Sequence, residues 1–207
     1  MRSLTIPISD DEILSLHMCD TVSISGVMLT ARDAVHKWLI ETFINKTRPP
    51  QNDDEEIYEK IRVLLNGGII YHCGPVVAGV ATKQYRFVAA GPTTSTRTDP
   101  MQGDVMRHFN VKAVIGKGGM GAKTLAACQE VPGVYMHAVG GAAAVFARAV
   151  VNVPAVYKLE FGVPEAIWIM EVKDFPAVVT MDAHGRSLHA DVEASSKLAL
   201  QKLLAPA

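Results

Sequence analysis

The chain has 207 residues, a formal net charge of −1 and 49% hydrophobic residues, with a slightly positive mean hydropathy of +0.18. That length suits a single domain able to bury about 70 per cent of its unfolded surface, and a charge near zero gives no electrostatic case for nucleic acid or an anionic membrane. No signal peptide is visible and no apolar run approaches the ~20 residues of a membrane span, so the expectation is a cytoplasmic protein.

Residues 21–29 (TVSISGVML) alternate as a strand, and Thr30-Ala31-Arg32-Asp33 opens a helix continued by Val35, Trp38, Leu39, Phe43 and Ile44 at helical spacing. Thr30 is the expected N-cap and Asp33 suits the first turn. Arg32 opposes the helix dipole, a cost of a few tenths of a kcal/mol that is tolerated where an anionic ligand arrives. A surface arginine with no role is the alternative. Further on, the acids Asp53, Asp54, Glu55 and Glu56 precede Ile57, Ile61, Leu64 and Leu65. This spacing predicts an amphipathic helix within a helical insertion near residues 46–67.

Residues 84–90 (QYRFVAA) read as a strand, stopped by Gly91-Pro92. Thr93, Thr94, Ser95 and Thr96 then present four hydroxyls, and Arg97 adds a planar fork suited to a carboxylate or phosphate. Capping the helix expected from Asp99-Pro100 needs only one or two of these groups. Residues 112–115 form a short strand, residues 122–129 a helix, and between them Gly116, Gly118 and Gly121 fit G-x-G-x-x-G. No Asp or Glu occurs from Val131 to Lys158 to hold a ribose, and Ala122 stands where a P-loop requires lysine. A general anion site survives: backbone N–H groups at a helix start with Lys117 beside them.

Residues 134–139 read as a buried strand and 142–150 as an alanine-rich helix. Residues 167–172 and 177–181 are two further strands, 182–185 a turn before a short strand near Leu188, and 191–204 a terminal amphipathic helix. Cys19, Cys73 and Cys128 lack any metal or disulfide spacing and read as buried structural thiols. The seven histidines show no metal spacing either, so no metal ligand is assigned to this chain.

Four motifs in order carry a resemblance: Ser25 to His36 (S-G-x-x-x-x-A-R-D-x-x-H), Gly91 to Arg97 (G-P-T-T-S-x-R), Ile115 to Gly121 (I-G-K-G-G-M-G) and Glu165 to Pro176 (E-A-I-W-I-M-E-V-K-D-F-P). The chain resembles the β subunit of two-subunit iron–sulfur hydro-lyases, the class I fumarases and L(+)-tartrate dehydratases, equivalent to the fumarase C-terminal domain. It departs at Val27 and Thr96, where threonine and glycine are frequent. The resemblance implies an α/β fold, the swivelling β/β/α domain, with a mixed sheet and flanking helices. It implies a [4Fe–4S] cluster carried by a partner α subunit, a heterotetramer, and a small dicarboxylate substrate. Thr93 would be the catalytic base, and Arg32, Arg97 and Lys117 the substrate-binding cations. Asp33, His36, Gly91, Thr94, Ser95, Gly116 and Gly118 would support them.

Three function classes follow: the catalytic half of a hydro-lyase acting on fumarate/L-malate or on L-tartrate, a nucleotide-binding module using the 116–121 loop, and a non-catalytic assembly subunit. The high apolar content fits a subunit that hides surface in a complex.

Overall fold

The computed structural model describes residues 1–204. In chain order the elements are β1 (Arg2–Thr5), α1 (Asp10–Leu14), β2 (Thr21–Thr30), α2 (Asp33–Leu39), α3 (Asp54–Leu65), β3 (Ile69–Tyr71), β4 (Val76–Ala78), β5 (Arg86–Ala89), α4 (Asp99–Phe109), β6 (Ala113–Gly116), α5 (Ala122–Glu130), β7 (Val134–His137), α6 (Ala143–Ala149), β8 (Val150–Tyr157), β9 (Ile167–Met181) and α7 (Leu188–Leu204). Among these described residues no helix is long and apolar enough to cross a membrane.

The fold is mixed α/β, as expected. Seven strands form one mixed sheet, and β4 and β5 make a separate hairpin. β1, β2, β3, β6 and β7 are joined by parallel pairings, whereas β9 runs antiparallel to β2, β7 and β8. Because β9 pairs with β2 along one stretch and with β7 along another, the ring β2-β3-β6-β7-β9 closes on itself. Closure removes sheet edges that would otherwise invite pairing with another chain.

The two faces of this ring follow from the period of two along a strand. Ile69 and Tyr71, Ala113 and Ile115, and Val134 and Met136 share one apolar cluster with Trp168, Met170 and Phe175. Their alternates Ile70, Val114 and Tyr135 pack with α2, α3, α4 and α5 through Val35, Trp38, Ile57, Ile61, Val105 and Phe109. The helix expected near 46–67 forms as α3, with Ile57, Ile61 and Leu65 buried and its acids in the first turn.

Several local expectations are corrected. Thr30 does not cap α2; it is the last residue of β2, and its hydroxyl bonds the Ala166 carbonyl and the Trp168 N–H. The two strands expected over 167–181 are one continuous β9; Lys173, Asp174 and Pro176 interrupt the apolar pattern, and the register with β2 shifts between Val172 and Phe175 without ending the strand. Residue 188 begins a helix rather than a strand, and none of α7 is buried. Cys19 is exposed; only Cys73 and Cys128 are buried thiols.

Candidate functional site

β2, β3, β6 and β7 are mutually parallel, so their carboxyl ends lie on one side, where open space beyond the strands commonly receives ligands. The residues just past those ends are Arg32, His72, Lys117 and Ala138. The site is assembled from these turns together with the 91–97 loop.

Backbone hydrogen bonds zip the turns together. Thr93 N–H donates to the His72 carbonyl at 2.7 Å, Lys117 N–H to the Thr93 carbonyl at 3.2 Å, and Ser95 N–H to the Lys117 carbonyl at 3.1 Å. Cys73 and Pro92 pair as an isolated bridge, as do Thr94 and Lys117. Gly116 is required by this approach, because a Cβ there would collide with Ser95 Oγ. Gly118 has φ +79°, a left-handed conformation that L side chains resist. Gly91 lies close against Ala143, and the Lys117 stem runs over Gly140. Gly140 thus forms a further wall.

The cations are held by carboxylates. Glu165 Oε2 accepts from Ala34 N–H at 3.1 Å at the start of α2, while its Oε1 lies 3.1 Å from Arg32 Nε. One carboxylate therefore offsets the unfavourable placement of Arg32 against the helix dipole. The Arg32 Nε contact is ionic rather than an aligned hydrogen bond, and Nη1 donates to the Pro164 carbonyl at 3.2 Å. Arg32 Nη1 also packs against Gly74, next to Cys73, which brings Arg32 to the 91–97 loop. Arg97 Nε donates to Asp33 Oδ2 at 2.9 Å, with both side chains nearly half exposed. No protein carboxylate pairs with Lys117 among the described residues.

The four hydroxyls divide. Thr93 is half-buried and Thr94 exposed. Ser95 is fully buried and points inward to His72 and Tyr135, and Thr96 reaches the Gly119 carbonyl at 3.4 Å. His36 is also buried, its Nδ1 2.8 Å from the Arg32 carbonyl, so it orients the turn rather than facing ligand.

The start of α5 does not offer the anion site that its glycines suggest. Asp99 Oδ1 accepts from Gly121 N–H at 2.8 Å and from the Thr124 hydroxyl at 2.7 Å. The protein's own carboxylate fills the position a phosphate would take, which removes the physical basis for nucleotide binding there. Sequence reasoning missed Asp99, and it missed Glu165, His72, Gln102 and Tyr135. Glu165 opens one of the four motifs, a signal that went unused.

Cys73 and Cys128 belong to different apolar clusters, and burial pushes both thiols up to about 12. Among the described residues no three His, Cys, Asp or Glu side chains gather as metal ligands.

Two carboxylate-anchored arginines, a lysine and a half-buried threonine therefore lie on adjoining turns. Residues 3–192 match the model of the family described as Fumarase C-terminus, and the chain belongs to that family. It is 47% identical over 201 residues to "Putative fumarate hydratase class I" of Geobacillus stearothermophilus, covering 97% of this chain and 35% of that protein. It is 34% identical over 146 residues to the L(+)-tartrate dehydratase subunit beta of Escherichia coli strain K12, covering 70% of this chain and 65% of the subunit. With "Putative L(+)-tartrate dehydratase subunit beta" of Methanocaldococcus jannaschii it shares 35% identity over 195 residues, 93% of each chain. The chain thus spans about a third of the fumarate hydratase and under two thirds of the Escherichia coli subunit.

Proposed function

We propose that this chain is the β-type half of an iron–sulfur hydro-lyase that interconverts fumarate and L-malate, completed by a cluster-bearing α subunit, with two of each in the assembly. The domain is read as the swivelling β/β/α type, a single unit with an inserted helix at α3. The observation that carries the function is the meeting of Arg32, Arg97, Lys117 and Thr93 on turns joined by backbone hydrogen bonds and two ion pairs. The match along 97% of the chain to a protein named as a fumarate hydratase supports the same reading.

Arg32, Arg97 and Lys117 would hold the two carboxylates. Removing a proton from the carbon beside a carboxylate spreads negative charge onto that carboxylate, so cations fixed there stabilise the transition state more than the ground state. The Thr93 oxygen would take that proton in dehydration and return it in hydration. Cations close to the hydroxyl favour its deprotonated form. A cluster held by the partner would supply Lewis-acid chemistry at the departing hydroxyl. Asp33 and Glu165 fix the guanidinium planes before the ligand arrives, which lowers the entropy cost of binding.

A second reading is supported by the match over 93% of both chains to a protein named as a tartrate dehydratase β subunit. L-Tartrate differs from L-malate by one hydroxyl, and the same four residues serve either diacid. Co-expression with the cysteine-bearing partner, anaerobic reconstitution with iron and sulfide, and parallel assays of L-malate, L-tartrate and mesaconate test the proposal. Dehydration of malate is expected to be fastest. Preference for tartrate moves the assignment to the second reading, and inertness toward all three contradicts both.

A further inference from the structure

Beneath the ligand face runs a chain of hydrogen bonds that the chemistry above leaves unused. His36, Gln102, His72, Ser95 and Tyr135 are each no more than 1% exposed. Gln102 Oε1 lies 2.8 Å from His36 Nε2 and 2.9 Å from His72 Nε2. His36 Nδ1 reaches the Arg32 carbonyl at 2.8 Å, and His72 Nδ1 reaches Ser95 Oγ at 2.8 Å. Tyr135 closes the chain through its hydroxyl, 3.0 Å from Ser95 Oγ. The links end on the backbone that carries the site: His36 grips the Arg32 carbonyl, the His72 carbonyl holds Thr93 N–H, and Ser95 N–H holds the Lys117 carbonyl.

Hydrogen counting fixes how this chain is wired. A carbonyl only accepts, so the hydrogen between His36 and Arg32 must sit on Nδ1. A neutral His36 then presents a lone pair at Nε2, which needs a donor opposite. The amide oxygen of Gln102 cannot supply one, and its Nε2 group stands buried without a partner. A half-turn of the amide exchanges the two atoms without moving the side chain. The nitrogen then has two hydrogens for two imidazole acceptors, and the orphaned donor disappears. The group left unpaired is a carbonyl oxygen, the less costly of the two. Burial pushes both histidines below their ordinary value, His72 to about 3, consistent with two neutral rings.

We infer that Gln102 is a positioning residue whose amide nitrogen sits between the two imidazoles, donates one hydrogen to each Nε2, and so keeps His36 and His72 with their hydrogens on Nδ1. Held this way, His36 anchors the Arg32 turn and His72 anchors Ser95, setting the cations and Thr93 on one rigid underlayer. A site made of separate turns needs such an underlayer, because a misplacement of 1 Å costs about 10²-fold in rate. The consequence for turnover rests on the proposed hydro-lyase reading; the wiring does not.

The test has two arms. Two-bond ¹H–¹⁵N NMR of the full chain labelled at histidine reads which ring nitrogen carries hydrogen, whatever the activity. His36 and His72 are both expected as Nδ1–H rings at neutral pH, and an Nε2–H ring at either position overturns the inference. In the reconstituted complex, Gln102→Glu places an acceptor where both rings need a donor. Its kcat is expected to fall about 10- to 100-fold, with KM little changed and the acid limb of the pH profile moved upward as the introduced carboxylate and the two imidazoles take up a proton. Gln102→Met, which keeps the length without charge, should lower kcat and leave the profile in place. Wild-type kcat in Gln102→Met, or a wild-type profile in Gln102→Glu, overturns the positioning role. Nδ1–H rings in a complex that dehydrates no hydroxy diacid would sink the hydro-lyase reading and leave the clamp standing.

Discussion

At the scale of single residues, two of the three candidate cations already sit against carboxylates before any ligand binds. Arg97 is bonded through Nε to Asp33, which fixes the plane of its guanidinium. Lysine in its place keeps the charge but loses the fork. Arg97→Lys in the reconstituted complex is expected to raise KM about 10- to 100-fold, the loss of one charged hydrogen bond at 1.5–3 kcal/mol. Steady-state kinetics check this, and an unchanged KM would remove Arg97 from substrate binding. The candidate residues stood out in the sequence because glycine turns carrying hydroxyls and cations exceed what capping needs. The residues that hold them did not. Glu165 lies 131 positions from the Ala34 N–H it accepts, and Gln102 lies 66 from His36. No local pattern records a partner that only the closed sheet brings near.

At the scale of elements, α3 shows how an apolar helix is fastened by charge. Asp54, 1% exposed, accepts from Trp38 Nε1 at 3.1 Å and from Gln51 N–H at 2.8 Å and pairs with the buried Lys158. Burial alone pushes the Asp54 carboxyl up, but Lys158 and these donors outweigh it and leave the group below its ordinary value. Asp54→Ala leaves Lys158 with Glu160 at 3.0 Å and Asp53 at 3.7 Å but strands the Trp38 and Gln51 donors, so it is expected to cost about 1–3 kcal/mol. Urea unfolding of the chain measures it, and a loss under about 1 kcal/mol would mean that water satisfies these donors instead. The helix itself and β2 were legible from their periods, β6 as a short apolar run beside its glycine turn, and α4 and α5 from the turns that precede them. Strands of three or four residues such as β1, β3 and β4 are too short to display a period. β8 carries a proline, Pro154, that reads as a breaker but is tolerated where the β8–β9 register shifts.

At the scale of the whole molecule, the buried histidines tie stability to pH. His36 and His72 have folded pKa values below the unfolded value near 6.5, so the fold favours their neutral forms. Their contribution is therefore present above about pH 6.5 and is lost as pH falls toward the folded values. With His72 near 3 in the fold, its share lost by pH 5 is about 2 kcal/mol. The urea midpoint is expected to be lower at pH 5 than at pH 7.5, and equal midpoints would show that water reaches these rings. The closure of the sheet was invisible in the sequence, since β9 pairs with β2 across about 150 residues. The parallel pairings of β2, β3, β6 and β7 put the ends of these four strands side by side, and β9 joins the outer two.

The hydroxyl of Thr93 is where the whole scheme is most exposed to refutation. Thr93→Val preserves shape and removes only the oxygen, so in the reconstituted complex the diacid should still bind with a near-normal KM while kcat falls about 10²- to 10⁴-fold, the range for a positioned base. Turnover close to wild type in that variant would contradict the role assigned to this face.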